Sequence, residues 1–229
     1  MLSLFFVDDI DNPLLNGENA HHVERVLRMN VGEELLISDG RGKWARCKID
    51  SISKREVALS VIESGFEEPV SMRVSVLQAI PKSDRARETV ELLTAAGVTE
   101  ILPWQASRSI GKESEKWQSA AIEASKQSRR FHIPNVRSKV AGLEAKEILK
   151  DFDQILICHE SAKIKLSESV APALNTLIVI GPEGGLTEEE VELFKMAGGK
   201  TVKMGRPILR SAHAGIAAVS AVSALMRLW

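Results

Sequence analysis

Two stretches of the chain, Gln154 to Cys158 (QILIC) and Leu177 to Ile180 (LIVI), are apolar almost without interruption. Val74 to Ile80, Val98 to Pro103 and Thr201 to Met204 are more mixed runs rich in β-branched residues. Strands of this kind are buried on both faces, which is the mark of a mostly parallel sheet covered by helices. The segments between them fit that picture. About Asp84 to Ala96, Glu113 to Arg129, Leu143 to Lys150, and runs beginning at Thr187 and about Ala212 read as helices, with Gly97 closing the first and a short strand near Val136. The beginning of the chain has another rhythm. An apolar strand over residues 2–7 is followed by the Asn12-Pro13 turn and a helix from an Asn19 cap to about Met29. Strands at Glu34 to Ser38, Lys43 to Ile49 and Glu56 to Ile62 then follow closely, the first two joined by Asp39-Gly40-Arg41-Gly42. A small β-barrel-like module over 1–69 is expected, with a linker at 64–70 and an α/β domain over 70–229.

Composition refines this only locally. The 229 residues carry a net charge of −1, but residues 1–69 hold eight basic against thirteen acidic residues, whereas residues 70–150 hold fourteen against nine. The basic excess is central. Cys47 and Cys158 are far apart and without CxxC spacing, so neither a disulfide framework nor a zinc site is indicated, and a reducing cytoplasm fits. Asp8, Asp9 and Asp11 stand where an export signal needs a basic and then apolar start. The 16 residues between Arg210 and Arg227 lack Lys, Arg, Asp and Glu, but a membrane span needs roughly 20. A buried helix is the reading.

The candidate chemistry gathers in residues 177–216. Strand Leu177 to Ile180 enters Gly181-Pro182-Glu183-Gly184-Gly185, and strand Thr201 to Met204 enters Gly205-Arg206-Pro207. Glycines at successive strand ends let the backbone approach a ligand, and open α/β sheets bind ligands there. The ligand is not a triphosphate. Neither GxxxxGK[ST] nor GxGxxG is present, Glu183 sits within the loop, and Glu188 to Glu190 fill the next helical turn. Thr187 and Glu190 form a capping box, which accounts for those three acids but not for Glu183. A neutral or cationic ligand suits such a loop. Arg206 reads as a solvated side chain or a ligand contact. Arg210, wedged before a small-residue run, is expected to face a cleft; His213 is a capping, core or catalytic histidine. Lys126, Arg129, Arg130, His132 and Arg137 fall within 12 residues that hold no acid. With Lys82, Arg85 and Arg108 at other element ends, they are either an exposed helix end or a surface for backbone phosphates. HExxH and GxSxG are absent, which disfavours metal and serine-hydrolase chemistry.

Several of these residues occur together in one known family. Pro81-Lys82, Arg108-Ser109, EASKQSRRFHIP (Glu123 to Pro134), His159-Glu160, IGPEGGLTEEE and MGRPILR, with HHVERVLRMNVGEEL near the start, resemble the bacterial small-subunit ribosomal RNA (uracil-N3)-methyltransferases of the SPOUT class. The resemblance spans essentially the whole chain. It implies a PUA-like β-barrel that helps bind RNA, with Arg25 and Arg28 as candidate contacts. It implies an α/β domain with a deep trefoil knot in about 155–216, an exception to the usual absence of knots. It implies a cytoplasmic homodimer that uses S-adenosylmethionine and no metal, and that methylates a uridine in the decoding region of 16S ribosomal RNA. Carried over by position, the cofactor is held by Cys158, His159 and Glu160; by Ile180, Gly181, Pro182, Glu183, Gly184 and Gly185; and by Met204, Gly205, Ile208, Leu209 and Arg210. Arg210 then stabilises charge, and Glu183 or His213 removes a proton. Lys82, Arg85, Arg108, Lys126, Arg129 and Arg130 would meet the RNA. Another RNA target, a ribose hydroxyl, or a purely RNA-binding role are the alternatives. The chain departs from the family at Ser211-Ala212-His213-Ala214, where members continue Thr-Glu-Thr-Ala, and at Leu92 and Ala95, where many carry Lys and Glu.

Overall fold

The computed structural model describes residues 2–53, 55–112 and 114–229. Contacts divide the chain into two units, one of residues up to Pro69 with Ser125–Ile133, the other of Val70–Ala124 with Pro134–Trp229.

In the first unit, β1 (Leu4–Phe6), β2 (Leu14–Asn16), β3 (Glu34–Ser38), β4 (Lys43–Ile52) and β5 (Glu56–Phe66) form a half-barrel sheet in the order β1-β3-β4-β5-β2. Only β1 and β3 run parallel. β4 and β5 are longer than the expected strands, and two register shifts, at Arg46/Cys47 and Ile49/Ser51, bend the long hairpin. Alternate residues of these strands, among them Leu35, Ile37, Ala45, Cys47, Ile49, Val57 and Leu59, fill one core with Leu15 and Val23. The expected Asn19 cap is displaced. Helix α1 (Gly17–His21) starts after Asn16, and Asn19 instead donates to the Phe6 carbonyl at 3.1 Å. A π-helical turn, His22–Val26, continues it.

The second unit is a parallel sheet in the order β12-β10-β11-β6-β7-β8, with β9 also on β7. Its elements in chain order are β6 (Arg73–Ala79), α2 (Ser83–Ala95), β7 (Glu100–Gln105), α3 (Trp117–Ser128), β8 (Asn135–Val136), β9 (Val140–Ala141), a 3-10 helix (Gly142–Asp151), β10 (Gln154–Cys158), α4 (Leu166–Ser169), β11 (Asn175–Ile180), α5 (Glu188–Met196), β12 (Lys200–Val202) and α6 (Ser211–Leu225). The expected start of α3 at Glu113 lies outside the described residues. Residues of α3 after Ala124 count with the first unit. Alternation within each strand sends side chains to two cores. Val74, Val76, Ile178 and Ile180 pack with α2 and α6, whereas Leu77, Val179, Ile155 and Ile157 pack with α5 and the 3-10 helix. Both faces are covered, which is why the strands read as unbroken apolar runs.

Phe194 of α5 is fully buried and meets Trp104 of β7 edge to face at 5.3 Å. Phe194→Ala should cost about 3–5 kcal/mol in urea unfolding; a loss below about 1 kcal/mol would mean that this layer does not bear on stability.

Candidate functional site

The C-terminal ends of β10, β11 and β12 open into a cavity of about 600 Å³. Three loops line it: Cys158 to Glu160, Ile180 to Leu186, and Lys203 to Ser211, joined by Ala214. Every residue expected to hold the cofactor lies on this wall, and Arg206 and Leu186 join them. Arg210 and Glu183 line it with exposed side chains. His213 does not line it. Its Nε2 lies 3.5 Å from Glu88 on α2, on the outer side of α6, and Glu88 also faces Arg85 at 3.7 Å.

The first glycine loop is fastened from several sides. Gly185 has φ +72°, a left-handed conformation that glycine adopts without cost. The Arg108 guanidinium donates to the Gly184 carbonyl at 2.9 Å, and a Cβ on Gly184 would sit 3.2 Å from that of Arg108. Arg108, expected at an RNA surface, is exposed and also holds this loop. Behind the loop, Glu190 is 1% exposed. Its carboxylate accepts from the Thr187 N–H at 2.8 Å, completing the capping box, and from the Ser107 N–H at 2.8 Å. The capping box was legible in the sequence, but its second partner, on the turn after β7, was not. On the third side, the Ser211 hydroxyl donates to the Gly181 carbonyl at 2.7 Å.

Cys158 forms part of the cavity wall, and burial pushes its thiol up to about 12. Cys47, in the first unit, is pushed up to about 11 by burial and by the Asp50 charge. Both are held as thiols at neutral pH. Among the described residues, no group of three or more His, Cys, Asp or Glu side chains is placed to hold a metal, and no helix is long and apolar enough to cross a membrane.

Arg129 has φ +54° and donates to the Leu2 carbonyl at 2.7 Å. Arg130 is half-buried, and that burial pushes its guanidinium down to about 10 against the opposing pull of Glu67. His132 contacts the Glu67 carbonyl at 2.7 Å. In the second unit, Arg137 pairs with Glu100 at 2.7 Å and Asp151 at 2.9 Å. Lys126 is half-buried. Arg25 and Arg28 in the first unit, and Lys82 and Arg108 in the second, are exposed. Lys82 lines another cavity, of about 870 Å³, together with Arg87, Lys112, Lys116, Ile110 and Trp117.

Comparison with known proteins is specific. Residues 67–223 match the family model described as RNA methyltransferase domain, and residues 15–62 match RNA methyltransferase PUA domain. Ribosomal RNA small subunit methyltransferase E of Mycobacterium bovis is 30% identical, covering 99% of this chain and 93% of the relative. The protein of the same name from Bacillus subtilis is 32% identical over 91% of this chain and 88% of its own length. Among solved structures, the Neisseria gonorrhoeae methyltransferase E bound to S-adenosyl methionine superposes with a TM-score of 0.88 at 26% identity, covering 98% of both chains.

A thiol held near 11 or 12 is almost wholly protonated at pH 8, and the thiolate is the reactive form. Iodoacetamide at pH 8 should therefore spare both cysteines in the native protein and modify both in denaturant, read by intact mass. Rapid native labelling at Cys158, which is half-buried on the cavity wall, would contradict a thiol pushed up to about 12.

Proposed function

We propose, from the premise that the chain belongs to the RNA methyltransferase family that includes ribosomal RNA small subunit methyltransferase E, that its product is N3-methyluridine in 16S ribosomal RNA. The chain is an S-adenosylmethionine-dependent ribosomal RNA methyltransferase; the target atom, the residue roles and the assembly are our reading. The observation that carries it is the cavity at three strand ends, walled by two glycine loops with carboxylates at Glu160 and Glu183.

The residues present fit the cofactor. A volume of about 600 Å³ lies within the range of small-molecule sites, and backbone N–H and C=O groups of the loops are the polar partners an adenosine needs. A cationic sulfonium is compatible with acids on the wall, where a phosphate is not. When bound, S-adenosylmethionine supplies an electrophilic methyl group. Uracil N3 carries a proton and becomes nucleophilic once that proton leaves, with the negative charge spread onto O2 and O4. Arg210, exposed on the cavity wall, stabilises that charge, and Glu183 accepts the proton. His213, turned toward Glu88, is the less direct base. Bound there, S-adenosylmethionine would supply its methyl group to N3 and leave as S-adenosylhomocysteine, with Arg210 and Glu183 keeping these roles.

The RNA is engaged by Arg25 and Arg28 on the half-barrel unit, by Lys82 and its neighbours around the second cavity, and by Arg85. Arg28 supports this reading through its backbone. It has φ +52°, where glycine is the easier residue, and its side chain is exposed. A second copy of the chain covers Ile208 and Leu209, which are 81% and 40% exposed beside the cavity. The trefoil knot is supported by the path of the chain. Strand β12 lies at the sheet edge beyond β10, yet α6, beginning nine residues after it, packs against α2 and the central strands.

Mapping modified nucleosides of 16S ribosomal RNA by mass spectrometry, with and without the gene, should show N3-methyluridine only in its presence; a lost ribose methylation would replace this reading with the 2′-hydroxyl one. Arg210→Ala should bind S-adenosylmethionine within about threefold of wild type yet lose about 10²–10³ in methyl transfer, and undiminished turnover would remove its role. Arg28→Gly should raise unfolding free energy by about 1 kcal/mol while weakening RNA binding severalfold. Unchanged RNA affinity would mark Arg28 as a helix terminator alone.

A further inference from the structure

Gln78 is the penultimate residue of β6 and is fully buried, on the sheet face that α6 covers. Its amide nitrogen donates to the Ala79 carbonyl at 3.0 Å and to the Ser211 hydroxyl at 3.1 Å. The Ala79 carbonyl accepts only from an N–H, which fixes which end of the amide faces it. Ser211 Oγ therefore accepts a hydrogen bond from Gln78, and its own O–H donates to the Gly181 carbonyl at 2.7 Å. The direction of the chain is set from the sheet to the loop. Register adds to the argument: Gln78 pairs with Ile180, the last strand residue before that loop. Close packing holds the far side. A Cβ at Gly215 would lie 3.1 Å from Gln78 Oε1 and 2.9 Å from Leu93, so α6 comes this near only with glycine there.

We propose that Gln78 and Ser211 are positioning residues for the cofactor, joining the two glycine loops through the Gln78–Ser211–Gly181 chain so that the cavity is shaped before anything enters it. The proposal rests on the reading of this cavity as the S-adenosylmethionine site. The Gly181 carbonyl lies where the strand has ended, and its acceptor would otherwise lack a ladder partner. Glycine leaves that peptide free to rotate, so the hydroxyl holds what the sequence itself does not. The Lys203–Ser211 loop is held at its end by the same atom. Ser211 reaches the cavity wall through this chain, and both residues act through loop geometry.

The experiment is calorimetric titration with S-adenosylhomocysteine, beside steady-state methylation of small-subunit RNA. Ser211→Ala should weaken binding by about tenfold, the worth of one buried hydrogen bond, and raise KM for S-adenosylmethionine similarly. At saturating cofactor, kcat and KM for RNA should stay within about twofold. Ser211→Thr, which keeps the hydroxyl, should recover most of the affinity. Gln78→Met, which removes the donor but leaves the hydroxyl free to reach Gly181, should fall between wild type and Ser211→Ala, and thermal melting confirms that each variant is folded. Wild-type affinity in Ser211→Ala, or Ser211→Thr as impaired as Ser211→Ala, would overturn the proposal. A wild-type chain that binds S-adenosylhomocysteine nowhere would instead remove the reading of the cavity itself.

Discussion

A single buried carboxylate holds much of this site in place. A charge as enclosed as Glu190, at 1% exposure, is costly unless it is met by donors. Two backbone N–H groups meet it, one at the start of its own helix and one on the turn after β7. The second is the consequential one. Because Ser107 is fixed, its neighbour Arg108 stands where it can reach the Gly184 carbonyl, and the first glycine loop is gripped from the side that its own strand does not reach. The acidic helix start thus does more than offset a dipole. It draws together loops that arise from different strands.

Which features were legible depended on sequence distance. The buried parallel strands announced themselves as apolar runs, and Gln154–Cys158 and the Thr187 capping box are where the pattern puts them. The two glycine loops of the cavity wall also lie where the pattern puts them, whereas its third loop, Cys158 to Glu160, was legible only through the family resemblance. Polar roles were read less well. Arg108 and Arg129 look like phosphate contacts in sequence, and each also donates to a main-chain carbonyl whose position only the folded chain reveals. Arg137 lies in an acid-free run, yet Glu100 and Asp151 come to it from elsewhere in its unit. The strand Leu14–Asn16 and the short helix Leu166–Ser169 were missed because three or four residues carry too little periodicity to count.

The departure from the family pattern at Ser211-Ala212-His213 acquires a physical sense. Ala212 is 1% exposed, so its position has room for a small apolar residue and none for a solvated acid. Ser211 keeps a hydroxyl at the helix start, and that hydroxyl is occupied with the neighbouring loop. His213 faces outward to Glu88. At this turn Ser211 holds the neighbouring loop and His213 meets Glu88, while Ala212 and Ala214 serve the packing of α6.

The pairing of β6 with β11 has a consequence for how the molecule is made. Arg73 lies beside Asn175, so the centre of the sheet closes across about a hundred residues of intervening chain. During synthesis β6 leaves the ribosome with β7 on one side and nothing on the other, and its second edge stays open until β11 has been translated. Non-local parallel pairing of this kind is slow and leaves strand edges exposed meanwhile. The sheet that later presents the cavity is, for that interval, the part of the nascent chain most in need of protection from its neighbours.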